Sequence, residues 1–448
     1  MMDATDSALA HIIRDSAHTL QGVAHDYDPL IDLVGDAKFV LLGEASHGTH
    51  ESYDARAKIT KRLIEEKGFN AVAAEADWPD AYRVNRYVRL KGKDANAKVA
   101  LSDFKRFPTW MWRNSDVLHF VDWLRGYNDE QRENRLKVGF YGLDLYSMYA
   151  SMEAVLRYLD KVDPEAAGRA RYRYSCFDHF GEDPQAYGYA ASLNLSASCE
   201  KHVLGQALEL QAHGNVHSDR NGSLDRDELF FAQQNAQLVK NAEQYYRSMF
   251  QGRVESWNNR DRHMAQTLEA LVGHLSHQRK EAKVVVWAHN SHVGDARATE
   301  MGEAGELNLG QLVRERCDGK AVIVGFTTYQ GEVTAASDWD MPAQLKQVRP
   351  ALVGSYESLF HATDMARFLL LVRDDERVRD ALSKPRLERA IGVIYRPETE
   401  RRSHYFHARM GEQFDAIVHF DHTQAVEPLV QAATEETGEV PETFPTGI

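Results

Sequence analysis

Two carboxylates and two imidazoles fall close together in the stretch FVLLGEASHGTHE, residues 39–51: Glu44, His47, His50 and Glu51. A carboxylate that bonds one imidazole nitrogen fixes the tautomer of the ring and leaves the other nitrogen as a base. Glu44 and His47 have the spacing for that pairing across a tight turn. Around them Gly43, Ala45, Ser46 and Gly48 keep side-chain bulk low, and the glycines permit close approach of another segment. Taken alone, Glu44 is explained as a helix cap and His47 as a satisfied core histidine. The rest of the chain weighs against that plain reading.

Further carboxylates and imidazoles recur where apolar runs end. AEAD places Glu75 and Asp77 two apart, on one side of an extended strand. A carboxylate in such an apolar run is costly unless paired, and Arg56, Arg83 and Arg86 are the partners suggested by proximity in sequence. KVGFYGLD ends on Asp144. WAHNSHVGD supplies His289, Asn290 and His292, and FDAIVHFDHT supplies Asp421 and His422. Side chains of these types support general acid and base work or the polarising of an oxyanion. They are also metal ligands, and a divalent ion held by Glu44, His47, Glu75 and His289 is the competing chemistry, three protein ligands and a water being the usual catalytic zinc arrangement. The absence of an HExxH helix and the presence of Arg56 beside the carboxylates favour a site without metal. No GxSxG elbow is present, and Ser46, adjacent to His47, diverges from it on a strand.

The elements that must position these groups are short apolar runs alternating with helical patterns. Strands are expected at 38–45, 70–77, 137–144, 283–290, 321–328, 367–372, 391–395 and 414–421. Most are apolar on both faces, as a sheet covered by helices on each side requires. Ile59, Leu63 and Ile64 give a helical stripe between the first two strands, with Gly68 as its stop. The fold expected is α/β, a central mostly parallel or mixed sheet flanked by helices, with an inserted helical lobe. Residues 1–150 form the first part of the body and 151–280 the lobe over the cleft. The body resumes over 281–430, and 431–448 is a loose acidic tail. Long helices are expected at 225–250 and 258–278, with polar turns at 213–223. In open α/β sheets the binding crevice lies outside the carboxyl ends of the strands, where the polar groups named above sit.

A formal charge of −14 over 448 residues argues against binding phosphate backbones or anionic lipid. The first residues have no basic region or apolar segment of a secretory signal, and no run approaches the length of a spanning helix. Cys176, Cys199 and Cys317 are odd in number and widely spaced, without a disulfide pattern. A reduced, cytoplasmic protein with no nucleic-acid or membrane partner is expected.

LLGEASHGTHE, the stretch RAKITKRLIEEKGFNAVAAEADWPDAYRVNRYVR and WAHNSHVGDARATEMG together resemble the erythromycin esterase family. SWNNRDRHMAQTL, LGQLVRER and residues 391–429 extend the resemblance over about 30–430. It implies hydrolysis of an ester or lactone by water attack without a covalent enzyme intermediate. Carried over position by position, it implies His47 as general base, Glu44 as its orienting carboxylate, and Arg56, Glu75 and His289 in support, with no cofactor and a small-molecule ester as partner. The physical reading agrees, because ester hydrolysis needs a base for water, donors for the oxyanion and an acid for the leaving alkoxide. A metal-dependent hydrolase, or a silent binding or stress protein of this fold, are the alternatives. Keeping a buried polar set with no task would cost stability.

Substrate contacts are expected from His50, Asp77, Asn290, His292, Arg262, Arg396 and Tyr405. Arg260, Asp261 and His263 share a helix start with Arg262, where Asn259 or Asp261 is most simply an N-cap. Tyr395, His404 and His422 rank lower, and Trp78, Trp110 and Trp112 offer an apolar wall.

Overall fold

The computed structural model describes residues 4–132, 137–217, 223–278, 281–317 and 319–429. Its strands are β1 (His18–Thr19), β2 (Phe39–Leu42), β3 (Ala71–Asp77), β4 (Gly139–Asp144), β5 (Val284–Trp287), β6 (Ala321–Ala335), β7 (Gln344–Val348), β8 (Arg367–Leu371), β9 (Arg386–Arg389), β10 (Tyr405–Ala408) and β11 (Ala416–Thr423). Among the described residues one sheet runs β1-β8-β11-β6-β2-β5-β3-β4, with β7 paired to the long β6, while β9 and β10 form a separate hairpin. β4, β3, β5, β2, β6 and β11 are parallel to their neighbours along this path, and β8 and β1 close one edge antiparallel. This is the α/β class expected, with a mixed sheet.

Alternation along the strands splits their side chains between two cores. Phe39, Leu41, Ala71, Ala73, Val284, Val286 and Ile323 pack on one face. Val40, Leu42, Val72, Ala74, Val285, Trp287, Val322 and Val324 pack on the other. Because the side-chain period of a strand is two, both faces must be covered. The helix His50–Lys67 covers part of the second face through Ile59, Leu63 and Ile64, and it ends at Gly68 in the left-handed conformation, φ 71°. A residue with a Cβ is disfavoured there, so the glycine stops the helix.

Between β4 and β5 the described chain is helical. Ser223–Met249 and Arg253–Gln278 are its longest elements. Their buried residues, Ala242, Tyr245, Met264 and Leu268 among them, share one apolar cluster with Ala73 and Val284 of the sheet. The lobe therefore packs directly on the sheet face.

Four expectations are corrected. Residues 391–395 do not form a strand: Ile391 bridges Ser46 and Ile394 bridges Ala336 singly, and the neighbouring ladder belongs to β9 and β10. The last long helix begins at Arg253 instead of 258, which places Asn259 and Asp261 inside it and not at its cap. Residues 213–217 continue the helix Glu200–His217 instead of turning. Cys176 and Cys199 are joined in a disulfide with Cα atoms 6.0 Å apart, while Cys317 is free. Their separation of 23 residues conceals a meeting produced by the packing of the lobe helices. The stretch 218–222 and the tail 431–448 lie outside the described residues. No helix among those described is long and apolar enough to cross a membrane.

Candidate active site

Register brings the polar groups together. Leu42 of β2 pairs with Trp287 of β5, Trp287 with Ala74 of β3, and Ala74 with Gly142 of β4. Parallel strands in this register end side by side. Glu44, His289, Glu75 and Asp144 lie one or two residues beyond those positions and emerge along one edge of the sheet. Close packing there depends on two glycines. A Cβ on Gly43 would overlap Asn290 Oδ1, and one on Gly48 would overlap the Thr334 carbonyl.

Glu44 is fully buried, and its two oxygens serve two partners: Oε1 lies 2.8 Å from His47 Nδ1 and Oε2 2.6 Å from Arg56 Nη2. The Arg56 guanidinium is also fully buried, 4.3 Å from the Tyr53 ring centre and 5.2 Å from that of Trp287. Aromatic faces stabilise a desolvated cation there. Tyr53 donates to the His47 carbonyl at 2.9 Å, which fixes the turn that carries the imidazole. With Nδ1 occupied by Glu44, the His47 ring forms part of the cleft wall.

The His289 ring packs 4.9 Å from His47, centre to centre. Its Nδ1 accepts the Ser291 backbone N–H at 3.2 Å, which places the proton of a neutral ring on Nε2. Burial, and then the neighbouring His47, hold His289 well below the usual histidine range. Ser46 Oγ accepts the Gly48 N–H at 3.2 Å and so serves the turn.

A second corner surrounds Glu75. Its Oε2 accepts the His289 backbone N–H at 2.8 Å, and its Oε1 lies 2.6 Å from Arg260 Nη2 and 3.3 Å from His292 Nε2. Arg260 also donates to both Asp144 oxygens, from Nε at 3.0 Å and Nη2 at 2.6 Å. His292 stacks on Trp257 at 4.6 Å, its Nδ1 lies 3.0 Å from Asp261, and its Nε2 is 3.0 Å from Arg260 Nη1. Burial by itself would raise the Glu75 carboxyl, but His292 and Arg260 hold it well below the carboxylate range. Burial opposes a charge on His292 too, and Asp261 and Glu75 outweigh it, raising the imidazole to about 9.

A cavity of about 110 Å³ adjoins the two corners. His47, Glu75, Asp77, Asp144 and Arg260 contribute its polar wall, and Phe107, Trp112, Trp257 and Trp339 its apolar one. Among the described residues, no group of three or more His, Cys, Asp and Glu side chains is disposed to hold a metal ion. The carboxylates suggested as ligands are already engaged, Glu44 by His47 and Arg56, Glu75 by Arg260, His292 and a backbone N–H.

A model of the family described as erythromycin esterase matches residues 64–423, about four-fifths of the chain. The chain belongs to the erythromycin esterase family. The matched span includes the Glu75 corner and His289, while Glu44, His47 and Arg56 lie just before it. Erythromycin esterase type II of Escherichia coli is 24% identical over 322 residues, covering 69% of this chain and 73% of that protein. A crystal structure of a Bacillus cereus protein superposes with a TM-score of 0.77 at 19% identity, covering 94% of this chain and 99% of that one. A mutant of the erythromycin esterase EreC, in its open conformation, superposes with a TM-score of 0.67 at 17% identity, over 92% and 99% of the two chains. At these identities the structures establish the shared fold.

In this erythromycin esterase family member the residues expected to contact substrate have diverse places. Asp77 lines the cleft in an ion pair with Arg106. His292 lies behind Glu75. Asn290 is fully buried, clamping the Phe326 backbone through its amide at 2.7 and 3.2 Å. His50 starts its helix half-exposed, 2.9 Å from Asp116. Tyr405 is buried beneath the Leu352 N–H it accepts and the Arg389 guanidinium. Arg396 is exposed and paired with Asp338 at 2.7 Å. Arg262 is also exposed, because two positions from Arg260 is the opposite side of the helix. Arg83 pairs with Asp94 and Asp103, and Arg86 with Glu228, so neither serves Glu75. Of the tryptophans, Trp112 lines the cleft and donates to the Glu75 carbonyl, while Trp78 and Trp110 are core. Sequence reasoning passed over Arg106 and Trp257 and ranked Arg260 too low. The available signal was the set Ser256, Trp257 and Arg260, which one helical turn brings to a single face.

Proposed function

We propose that this protein hydrolyses a small carboxylic ester or lactone, with His47 as the general base that activates water. The 2.8 Å contact of Glu44 Oε1 with His47 Nδ1 carries this reading, because the ring lines the cleft with its other nitrogen available. His47 Nε2 takes a proton from water as the oxygen attacks the carbonyl carbon, and Glu44 stabilises the imidazolium that forms. Collapse of the tetrahedral adduct breaks the carbon–oxygen bond of the ester, and the proton on His47 passes to the departing alkoxide. The products are a carboxylic acid and an alcohol, or one hydroxy acid from a lactone.

Arg56, shielded behind Glu44, acts through that carboxylate. Glu75 Oε2, which accepts one backbone N–H, retains capacity to accept the second hydrogen of the water. His289, held neutral by burial, places no second cation against the imidazolium. Four carboxylates in the cleft wall, Glu75, Asp77, Asp80 and Asp144, against Arg106 and Arg260, disfavour an anionic substrate. A cavity of about 110 Å³ is below the roughly 300–1,000 Å³ of sites for drug-sized ligands. The conformation described suits a small neutral or cationic ester.

The test is turnover of aryl esters, small lactones and macrolides by protein treated with a chelator, with products identified by mass. Hydrolysis that survives the chelator and is fastest for small neutral or cationic esters is the expected result. Turnover only after zinc or manganese is restored would replace this mechanism with a metal-assisted one. Silence under both conditions would remove the ester from the reading.

A further inference from the structure

We infer that Arg260, supplied by the lobe helix Arg253–Gln278, is the cation that holds the oxyanion formed in the cleft, with Asp144 and the Asp261–His292 pair as its positioning residues. The inference rests on the hydrolase reading and adds to it the partner of the developing charge.

Three arginines come near the reacting groups. Arg56 is fully buried between Tyr53 and Trp287 and does not reach the cavity wall. Arg106 lines the cavity in an ion pair with Asp77. Arg260 lines it too, with 14% of its side chain exposed, and its guanidinium is held on several sides. A guanidinium has five N–H donors in a planar fork. In Arg260, Nε and one Nη2 hydrogen serve Asp144, the other Nη2 hydrogen serves Glu75, and Nη1 approaches His292 Nε2. The protonated His292 ring carries its own hydrogen on Nε2 and cannot accept from Nη1, so the Nη1 hydrogens are left over, on a group that borders the cavity and lies 4.9 Å from the Tyr146 ring centre.

Rigid placement is what this function needs. Donors that do not reorganise when charge develops contribute most to catalysis, and a low-dielectric surrounding strengthens them. The bidentate contact with Asp144 fixes the plane of the fork, and the His292 ring, itself gripped by Asp261 and Trp257, closes the remaining side. Continuity with the base runs through Glu75, whose Oε1 meets Arg260 and whose Oε2 meets the backbone of His289, beside His47. A carbonyl between His47 and Arg260 would have the base on one side and the donor on the other. The oxyanion forms as the carbonyl π electrons move onto oxygen, and no co-reactant beyond water is involved.

The experiment uses the full chain and two readouts. The first is kcat and KM on the best ester of the panel; the second is calorimetric binding of methyl phenylphosphonate, a tetrahedral monoanion, alongside N-methylbenzamide, a neutral amide of similar size with a planar carbonyl. Arg260→Gln is expected to lower kcat about 10²-fold or more with KM within about threefold. It should weaken the phosphonate by a comparable factor and leave amide binding unchanged. Arg260→Lys, which keeps the charge beside Glu75 and Asp144 and loses the fork, should be intermediate and serves if the glutamine variant does not fold. Wild-type kcat and phosphonate affinity in either folded variant would overturn the inference, as would a wild-type protein that does not bind the phosphonate. Phosphonate binding that depends on Arg260 in a protein that hydrolyses no ester would uphold the anion site and overturn the hydrolase reading instead.

Discussion

The Glu44 corner and the Glu75 corner lie at the ends of β2 and β3, the two strands that flank β5, and each puts a buried carboxylate against an arginine, yet they are built in opposite ways. Glu44, His47 and Arg56 come from one stretch of 13 residues, and their order follows from a strand, a turn and one helix. Glu75 meets Arg260 across 185 positions of the chain, and His292 meets Asp261 across 31. In the first corner Glu44 and Arg56 lie behind the cavity wall and only the His47 ring reaches it, whereas in the second both Glu75 and Arg260 line it. The local corner can set a base before the lobe is in place. The assembled corner exists only when the lobe helix is docked on the sheet.

If this contrast is right, perturbing the two corners should have different signatures, and the largest effect belongs to Arg56. Replacing it by Met leaves the Glu44 carboxylate buried without its cation, and urea unfolding should show a loss of about 3–5 kcal/mol. A loss below about 1 kcal/mol would mean that Glu44 and Arg56 are not shut away from water. Next, Glu44→Gln keeps the shape and removes the charge that supports an imidazolium on His47. It also leaves the buried Arg56 without its anion, so stability should fall as well, and in the folded fraction kcat should fall about 10²–10⁴-fold. A drop confined to KM would show Glu44 to be a binding group.

The assembled corner should announce itself through pH. His292 is raised from 6.5 to about 9 in the folded protein, so its contribution is fully present below pH 6.5 and is lost as the pH rises through 9. The amount is on the order of 3 kcal/mol. Glu75 behaves oppositely, because its lowered carboxyl contributes above pH 4.5 and loses that contribution as the pH falls. Unfolding midpoints between pH 6 and 10 should decline in the wild type, and the part of the decline due to this imidazole should be absent in His292→Gln. Equal declines in the two proteins would detach His292 from the network. The smallest effect is expected at Arg262, exposed on the far side of the helix. Arg262→Gln should stay within about twofold in kcat/KM and roughly 0.5 kcal/mol in stability.

The same contrast explains what could be read from the residues alone. The α/β class was legible because the strands that carry the site are apolar on both faces, and His47 stood out because its carboxylate lies three positions away. Glu75 was recognisable as a carboxylate needing a partner, but its partner was sought at Arg56, Arg83 and Arg86, near it in sequence. Nothing in a strand encodes which side of a distant helix will dock against it. Arg260 and Arg262 stand two apart in one helix, and which of them faces the cleft is decided by how that helix docks on the sheet: Arg260 meets Glu75, while Arg262 is exposed. Residues 391–395 have a strand's composition, yet only single bridges form there, and Gly392 and Val393 instead line the cleft. Asp144 was visible as a strand end and acquired meaning only through Arg260.

The most direct test of the account is the turnover of chelator-treated His47→Ala on the ester that the wild type hydrolyses fastest, with folding verified by its melting profile. A loss of about 10²-fold or more in kcat, unrelieved by added zinc or manganese, is the predicted result. A folded His47→Ala protein that hydrolyses the ester at the wild-type rate would contradict it.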